Sequence, residues 1–160
     1  MRRGATTPKR LPSPGALSAC RRTIKAAQDA GDEGAALQAA RRAVKRFPES
    51  ARANFELAFH LYKLGRVEEC LPYLRKAMEA DPRYEEPFFF HGDLLVRQGN
   101  NDEAVRYLEK ALEIRPDYTA ARVSLARAHL SAGRPRDAVA ALDEAARLDP
   151  SNPQPHLLLS

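Results

Sequence analysis

Three residue types recur in register four times along this chain of 160 residues, each at a spacing of 34: Gly31, Gly65, Gly99 and Gly133; Ala43, Ala77, Ala111 and Ala145; Pro48, Pro82, Pro116 and Pro150. A fixed period of that length means one supersecondary unit stacked on copies of itself, each burying an apolar face that it could not bury alone. Such a chain does not close into a pocketed globule. It extends as a solenoid and offers a continuous surface along its axis.

With the proline at position 32 of the unit, the repeats are residues 17–50, 51–84, 85–118 and 119–152, followed by residues 153–160. Each repeat divides at its glycine into two amphipathic stretches of about 14 residues, about 20 Å long as helices. The glycine falls where the first helix, A, must end and the chain reverse, in a conformation that is cheap only without a Cβ. Acidic residues then open the second helix, B, at Glu33, Glu68 with Glu69, Asp102 with Glu103, and Asp137. There the exposed amides of a helix start favour negative charge. The proline closes the unit because it cannot continue helix B.

Small residues fill two further columns besides that of Ala43. One holds Ala36, Cys70, Ala104 and Ala138 in helix B; the other holds Ala58, Gly92 and Ala126 in helix A. Paired helices can therefore approach closely while Leu71, Leu74, Val105, Leu108, Val139 and Leu142 interlock around them. The pattern predicts an all-α chain.

A proline-punctuated helical unit of this length resembles the tetratricopeptide repeat, whose pattern runs Trp, Leu, Gly, Tyr, Ala, Phe, Ala, Pro at positions 4, 7, 8, 11, 20, 24, 27 and 32. The third repeat matches best, with Phe88, His91, Gly92, Leu95, Ala104, Leu108, Ala111 and Pro116. The second has Asn54, Leu57, Ala58, Leu61, Cys70, Leu74, Ala77 and Pro82, and the fourth Arg122, Leu125, Ala126, His129, Ala138, Leu142, Ala145 and Pro150. The first departs most, with Cys20, Thr23, Ile24 and Ala27 in helix A, while Ala36, Ala40, Ala43 and Pro48 keep helix B. A polar terminal helix is what an end cap requires. The resemblance covers residues 17–152 and implies a right-handed superhelical solenoid of antiparallel helix pairs.

The same resemblance implies a concave groove that receives a partner peptide, lined by helix A positions 2, 5, 9, 12 and 13. Carried over by position, these are Arg21 and Lys25, then Phe55, Phe59, Tyr62 and Lys63, then Glu86, Phe89, Asp93 and Arg97, then Val123, Arg127 and Leu130. Phe55 and Phe59 share one helix face, with Tyr62 three residues further on. The core columns of that helix are already taken by Leu57, Ala58 and Leu61, so Phe55, Phe59 and Phe89 are expected to face the groove as anchors. Phe88 stands in the Trp column and is expected in the core; Phe90 has no assigned partner. Some members of the family clamp a chaperone's terminal carboxylate with Lys, Asn and Arg at positions near 5 and 9. Phe55, Phe59, Phe89 and Asp93 stand there instead, and that clamp is not predicted.

Charge is unevenly held. Residues 1–50 carry 11 Lys and Arg against 4 acids, whereas residues 51–160 carry 15 against 17. Residues 1–16 lack the apolar content to pack and read as a disordered basic tail. The basic end lacks interleaved aromatic residues, which disfavours nucleic acid as a partner. Arg21, Lys25 and Arg127 would instead select acidic groups on a protein partner.

Cys20 and Cys70 have no metal-ligand spacing and read as buried thiols on packing positions, with no disulfide and no metal. Leu17, Ser18, Ala19 and Cys20 spell the end of a lipoprotein signal, but Pro12 and Pro14 interrupt the stretch where an apolar run is needed. A cytoplasmic protein without a membrane span is expected, with an anchor at Cys20 as the alternative. Phosphate-cradling loops, nucleophile elbows and zinc spacings are missing from the sequence, so neither a catalytic role nor a cofactor is expected.

The resulting expectation is an interaction scaffold that holds a peptide segment with apolar anchors and acidic groups. The alternative is the repeat region of a larger enzyme of glycosyltransferase or sulfotransferase type. Residues 153–160 read as the start of a further helix, cut short. His156, Leu157, Leu158 and Leu159 cannot all face water cheaply, so this end either continues or docks onto another copy. The small columns themselves are testable: Ala111→Leu should overpack the stack and lower stability by about 1 to 3 kcal/mol in a urea titration.

Overall fold

The computed structural model describes residues 14–159 and forms from them nine α-helices. They are α1 (Pro14–Asp29), α2 (Glu33–Arg46), α3 (Ala51–Lys63), α4 (Val67–Ala80), α5 (Glu85–Arg97), α6 (Asn101–Ile114), α7 (Thr119–Ser131), α8 (Pro135–Leu148) and α9 (Pro153–Leu159). Odd and even helices pair as successive antiparallel hairpins, and each pair packs on the next. The result is an all-α solenoid.

Residues 14–16, expected in the basic tail, open α1 instead, because a proline is well placed in the first turn of a helix, where its missing N–H costs nothing. The rest of that tail lies outside the described residues. Helix α1 is also the longest among the described residues at 16 residues, with Ile24 and Ala16 buried and most of its other side chains exposed. The departures of the first repeat from the family pattern therefore remove packing, not helix.

Every A helix of the four hairpins ends in one way. Gly31, Gly65, Gly99 and Gly133 have φ of 72°, 69°, 80° and 71°, and the next residue's N–H reaches back over the turn. Arg66 donates to the Leu61 carbonyl at 2.9 Å, Asn100 to Leu95 at 2.9 Å and Arg134 to His129 at 2.8 Å. This closure satisfies the last carbonyls of the helix. B helices end on the alanine column: the N–H groups of Phe47, Asp81, Arg115 and Asp149 donate to Ala43, Ala77, Ala111 and Ala145 at 2.8 to 3.0 Å.

The small columns are sealed. Ala36, Cys70, Ala104 and Ala138 are fully enclosed, as are Ala58 and Ala126, with Leu74, Leu108 and Leu142 locked among them. The closest approach is at Gly92, where an added Cβ would lie 2.7 Å from Leu108 Cγ and 3.3 Å from the Ala104 carbonyl oxygen. A column that tolerates alanine in its neighbours has therefore been tightened here to glycine.

The Trp column is used differently from the family pattern. Asn54 is enclosed and donates through Nδ2 to the carbonyls of Pro48 at 2.7 Å and Ser50 at 2.9 Å. Arg122 donates through Nη2 to the Pro116 carbonyl at 2.7 Å. At the break between repeats the carbonyl of the proline has no helical partner, and a polar side chain at this column supplies one. Phe88, expected in the core, is half-buried in a shallow recess with Arg106, Tyr107 and Lys110.

Gly92→Ala should lower stability by about 1 to 3 kcal/mol through overpacking against Leu108, despite the better intrinsic helix propensity of alanine. A shift of the urea midpoint at unchanged slope is the expected result.

Candidate functional site

Helix A side chains at position 6 establish the inner face, because each reaches the A helix of the preceding repeat. Glu56 on α3 approaches Arg21 on α1 at 3.9 Å; Phe90 on α5 packs on Phe55, Phe59 and Tyr62 of α3; Ser124 on α7 donates to Asp93 on α5 at 2.9 Å. The same backbone position thus carries an ion pair, an aromatic contact and a hydrogen bond in turn.

Phe90 is the centre of the aromatic set. Its ring centroid lies 5.5 Å from Phe55, 5.5 Å from Phe59, 4.9 Å from Tyr62 and 5.0 Å from Phe89, with the edge-to-face or tilted geometry that aromatic quadrupoles favour. Two further pairs repeat 34 residues apart: Phe55 with Tyr84 at 5.2 Å and Phe89 with Tyr118 at 4.8 Å. Arg52 donates to the Tyr84 hydroxyl at 2.8 Å, and the Arg115 guanidinium lies 3.5 Å from the Tyr118 ring centroid.

Asp93 sits beneath this set at 5% exposure. Its Oδ2 accepts from the Tyr62 hydroxyl at 2.7 Å and from Arg97 Nε at 2.9 Å, and its Oδ1 accepts from Ser124 at 2.9 Å. Arg97 also donates through Nη2 to the Tyr62 oxygen at 2.6 Å. Three consecutive A helices are joined through one carboxylate. Burial, reinforced by the neighbouring Asp93, pushes the Tyr62 hydroxyl up to about 12; burial likewise raises Tyr84 and Tyr118.

Between α1 and α3 the face opens into a cleft of about 550 Å³. Its α1 wall presents Ser18, Arg21, Arg22, Lys25 and Gln28, and its α3 wall presents Arg52, Phe55, Glu56 and Phe59, with Glu86 of α5 at the end. The cleft exists because position 6 here is Glu56, which pairs at 3.0 Å with Arg52 on its own helix instead of filling the space with a ring. Four cations face two carboxylates across it, so the cleft is electropositive. Burial raises the Glu86 carboxyl above its ordinary value.

Two tetratricopeptide repeat models match the sequence, one over residues 49–117 and the other over residues 95–160. The chain belongs to the tetratricopeptide repeat family. Among solved structures it is similar to YrrB, a tetratricopeptide protein with an unusual peptide-binding site, at 21% identity and a TM-score of 0.75 over 91% of this chain and 75% of that one. MamA from Desulfovibrio magneticus RS-1 aligns at 17% identity and a TM-score of 0.77, over 88% of this chain and 79% of that one. The O-GlcNAc transferase of Thermobaculum terrenum aligns at 28% identity and a TM-score of 0.76, over 86% of this chain and 27% of the longer one. No curated protein matches the sequence significantly. Membership of the tetratricopeptide family supports a role in protein interaction.

Within this tetratricopeptide array the expected groove residues do not stay together. Arg21, Lys25 and Phe59 meet in the cleft, while Phe89, Tyr62, Arg97 and Arg127 lie further along, half-buried or exposed. Lys63 pairs with Glu33 and its ammonium lies 5.8 Å from the Phe59 ring centroid. Three expectations are corrected. Phe55, although on the cleft wall, is only 6% exposed, because Tyr84 and Phe90 cover its ring; Asp93 is taken up by its three donors; Val123 is only 8% exposed. Phe90, Gln28, Arg52 and Glu56 went unrecognised. Phe90 and Glu56 stand at position 6, which faces the preceding repeat and not the helix partner, whereas Arg52 and Gln28 stand at positions 2 and 12 and were legible from the groove pattern itself.

Among the described residues no helix is long and apolar enough to cross a membrane. Cys20, the residue of the lipoprotein reading, is half-buried on α1.

Asp93→Ala should cost about 2 to 3 kcal/mol, since it strands the hydroxyls of Tyr62 and Ser124 and leaves Arg97 without its carboxylate. The raised tyrosines give a second expectation. A group whose proton is held more tightly in the folded state adds stability that is complete below its unfolded value, near pH 10, and is lost as pH climbs through about 12. Thermal midpoints should therefore fall in that alkaline window, and Tyr62→Phe should reduce the slope.

Proposed function

We propose that the chain is an interaction scaffold that holds an extended or helical segment of a partner protein along its inner face. The cleft between α1 and α3 carries this reading: it combines the half-buried Phe59 ring with Arg21, Arg22 and Lys25 on the opposite wall. An apolar side chain of the partner would seat against Phe59, with Phe89 extending the aromatic floor, while acidic residues of the partner meet the cationic wall. Half-buried rings suit this role because they are already rigid and lose little conformational freedom on binding. Rim cations add encounter rate and discrimination more than affinity. The scaffold is assigned no bond-making chemistry of its own.

A second reading is supported by the O-GlcNAc transferase likeness, in which the matched region is 27% of a longer chain. On that reading the groove docks substrates or partners for a catalytic domain. Coding sequence directly downstream decides between the two, since a catalytic domain in the same frame is required.

Affinity capture from the source cell, run side by side with wild type, Phe59→Ala and the pair Arg21→Glu with Lys25→Glu, tests the groove. Capture should fall about tenfold or more for Phe59→Ala. The charge-reversed chain should lose capture most at low salt while its stability stays within about 0.5 kcal/mol of wild type, as for other exposed substitutions. Equal capture by all three chains overturns the reading.

A further inference from the structure

His60 is fully enclosed where α1, α2 and α3 meet, and both of its ring nitrogens are engaged. Nδ1 lies 3.1 Å from a carboxylate oxygen of Glu33, and Nε2 lies 3.3 Å from the amide nitrogen of Gln28. A carboxylate only accepts, so Nδ1 carries the proton. In the neutral ring Nε2 is then an acceptor, and the NH2 of Gln28 is the group that can serve it. The amide of Gln28 is thereby oriented by Glu33, acting through the imidazole. Gln28 is also a wall residue of the α1–α3 cleft, and its Oε1 has no hydrogen-bond partner among the described residues.

We infer that Gln28 Oε1 is the cleft's acceptor for a hydrogen-bond donor on the partner, and that protonation of His60 reverses this polarity. The inference rests on the cleft being the seat of a partner. When Nε2 gains a proton it needs an acceptor; the Gln28 amide turns over to offer Oε1, and its NH2 then faces the cleft. The same site accepts a partner N–H when the ring is neutral and donates to a partner carbonyl or carboxylate when the ring is charged.

Charged and polar groups meet the ring from each of these three helices. From α2 the ring faces the Glu33 carboxylate. From its own helix comes Lys63, which pairs with the same carboxylate. On α1, beyond the neutral Gln28, Lys25 and Asp29 pair with each other at the surface at 3.3 Å. Phe59 stands edge-on to the imidazole at 5.7 Å, so the aromatic anchor of the cleft and the polar switch share one support.

Nitrogen-15 NMR of the full chain, titrated from about pH 8 to about pH 5, where histidine changes charge, reads both parts. At the upper end His60 should be the Nδ1–H tautomer. As pH falls the side-chain NH2 signals of Gln28 should move with the same midpoint as the His60 ring. In Glu33→Gln the Nε2–H tautomer should become populated and that coupling should weaken. An Nε2–H ring in the wild type, Gln28 signals that stay fixed while His60 titrates, or a ring that remains neutral until the chain unfolds would each overturn the inference. These readings need no partner, so failed capture by the groove leaves them intact, and a wrong tautomer leaves the capture by Phe59 standing.

Discussion

Close contact between paired helices sets everything else in this solenoid, and it depends on side chains that are almost absent. Ala43, Ala77, Ala111 and Ala145 on the B helices, with Ala58, Gly92 and Ala126 on the A helices, let backbones meet while leucines interlock around them. Because each hairpin nests on the next in one phase, the same turn of every A helix points at the same neighbour. Position 6 then touches the preceding repeat whatever its chemistry, and Glu56, Phe90 and Ser124 supply an ion pair, an aromatic contact and a hydrogen bond at that one place.

The inner face is consequently both lining and glue. Phe55 and Asp93 were natural candidates for partner contact by their position in the repeat, yet the first is covered by Tyr84 and Phe90 and the second by Tyr62, Arg97 and Ser124. A buried carboxylate with several donors is stable only when all of them are present. The region around Asp93 is therefore a rigid girder between helices, with no negative charge to spare for a ligand. Selectivity has to come from the part of the face where packing is incomplete.

That part is the first hairpin. Helix α1 places Arg21 where later A helices place Phe55, Phe89 and Val123, sets Arg22 and Lys25 beside it, and faces Glu56, which stands where Phe90 stands one repeat later. Large cations do not close against a carboxylate as a ring closes against rings, because each keeps part of its hydration. The opening left between α1 and α3 is an outcome of that chemistry, and it puts Gln28, His60 and Phe59 at one junction.

The period of 34, the reversal at each glycine, the stop at each proline and the sealing of the alanine columns were all legible in the residues alone, because each is a local requirement on backbone angle or side-chain size that recurs in register. What faces inward could be listed from position in the repeat. What is free there could not. Whether Phe55 and Asp93 meet solvent depends on side chains about 30 residues away on adjoining helices and turns, and a column describes one helix at a time. The cleft, the girder at Asp93 and the histidine junction are properties of three helices at once, so only the stacked structure could decide them.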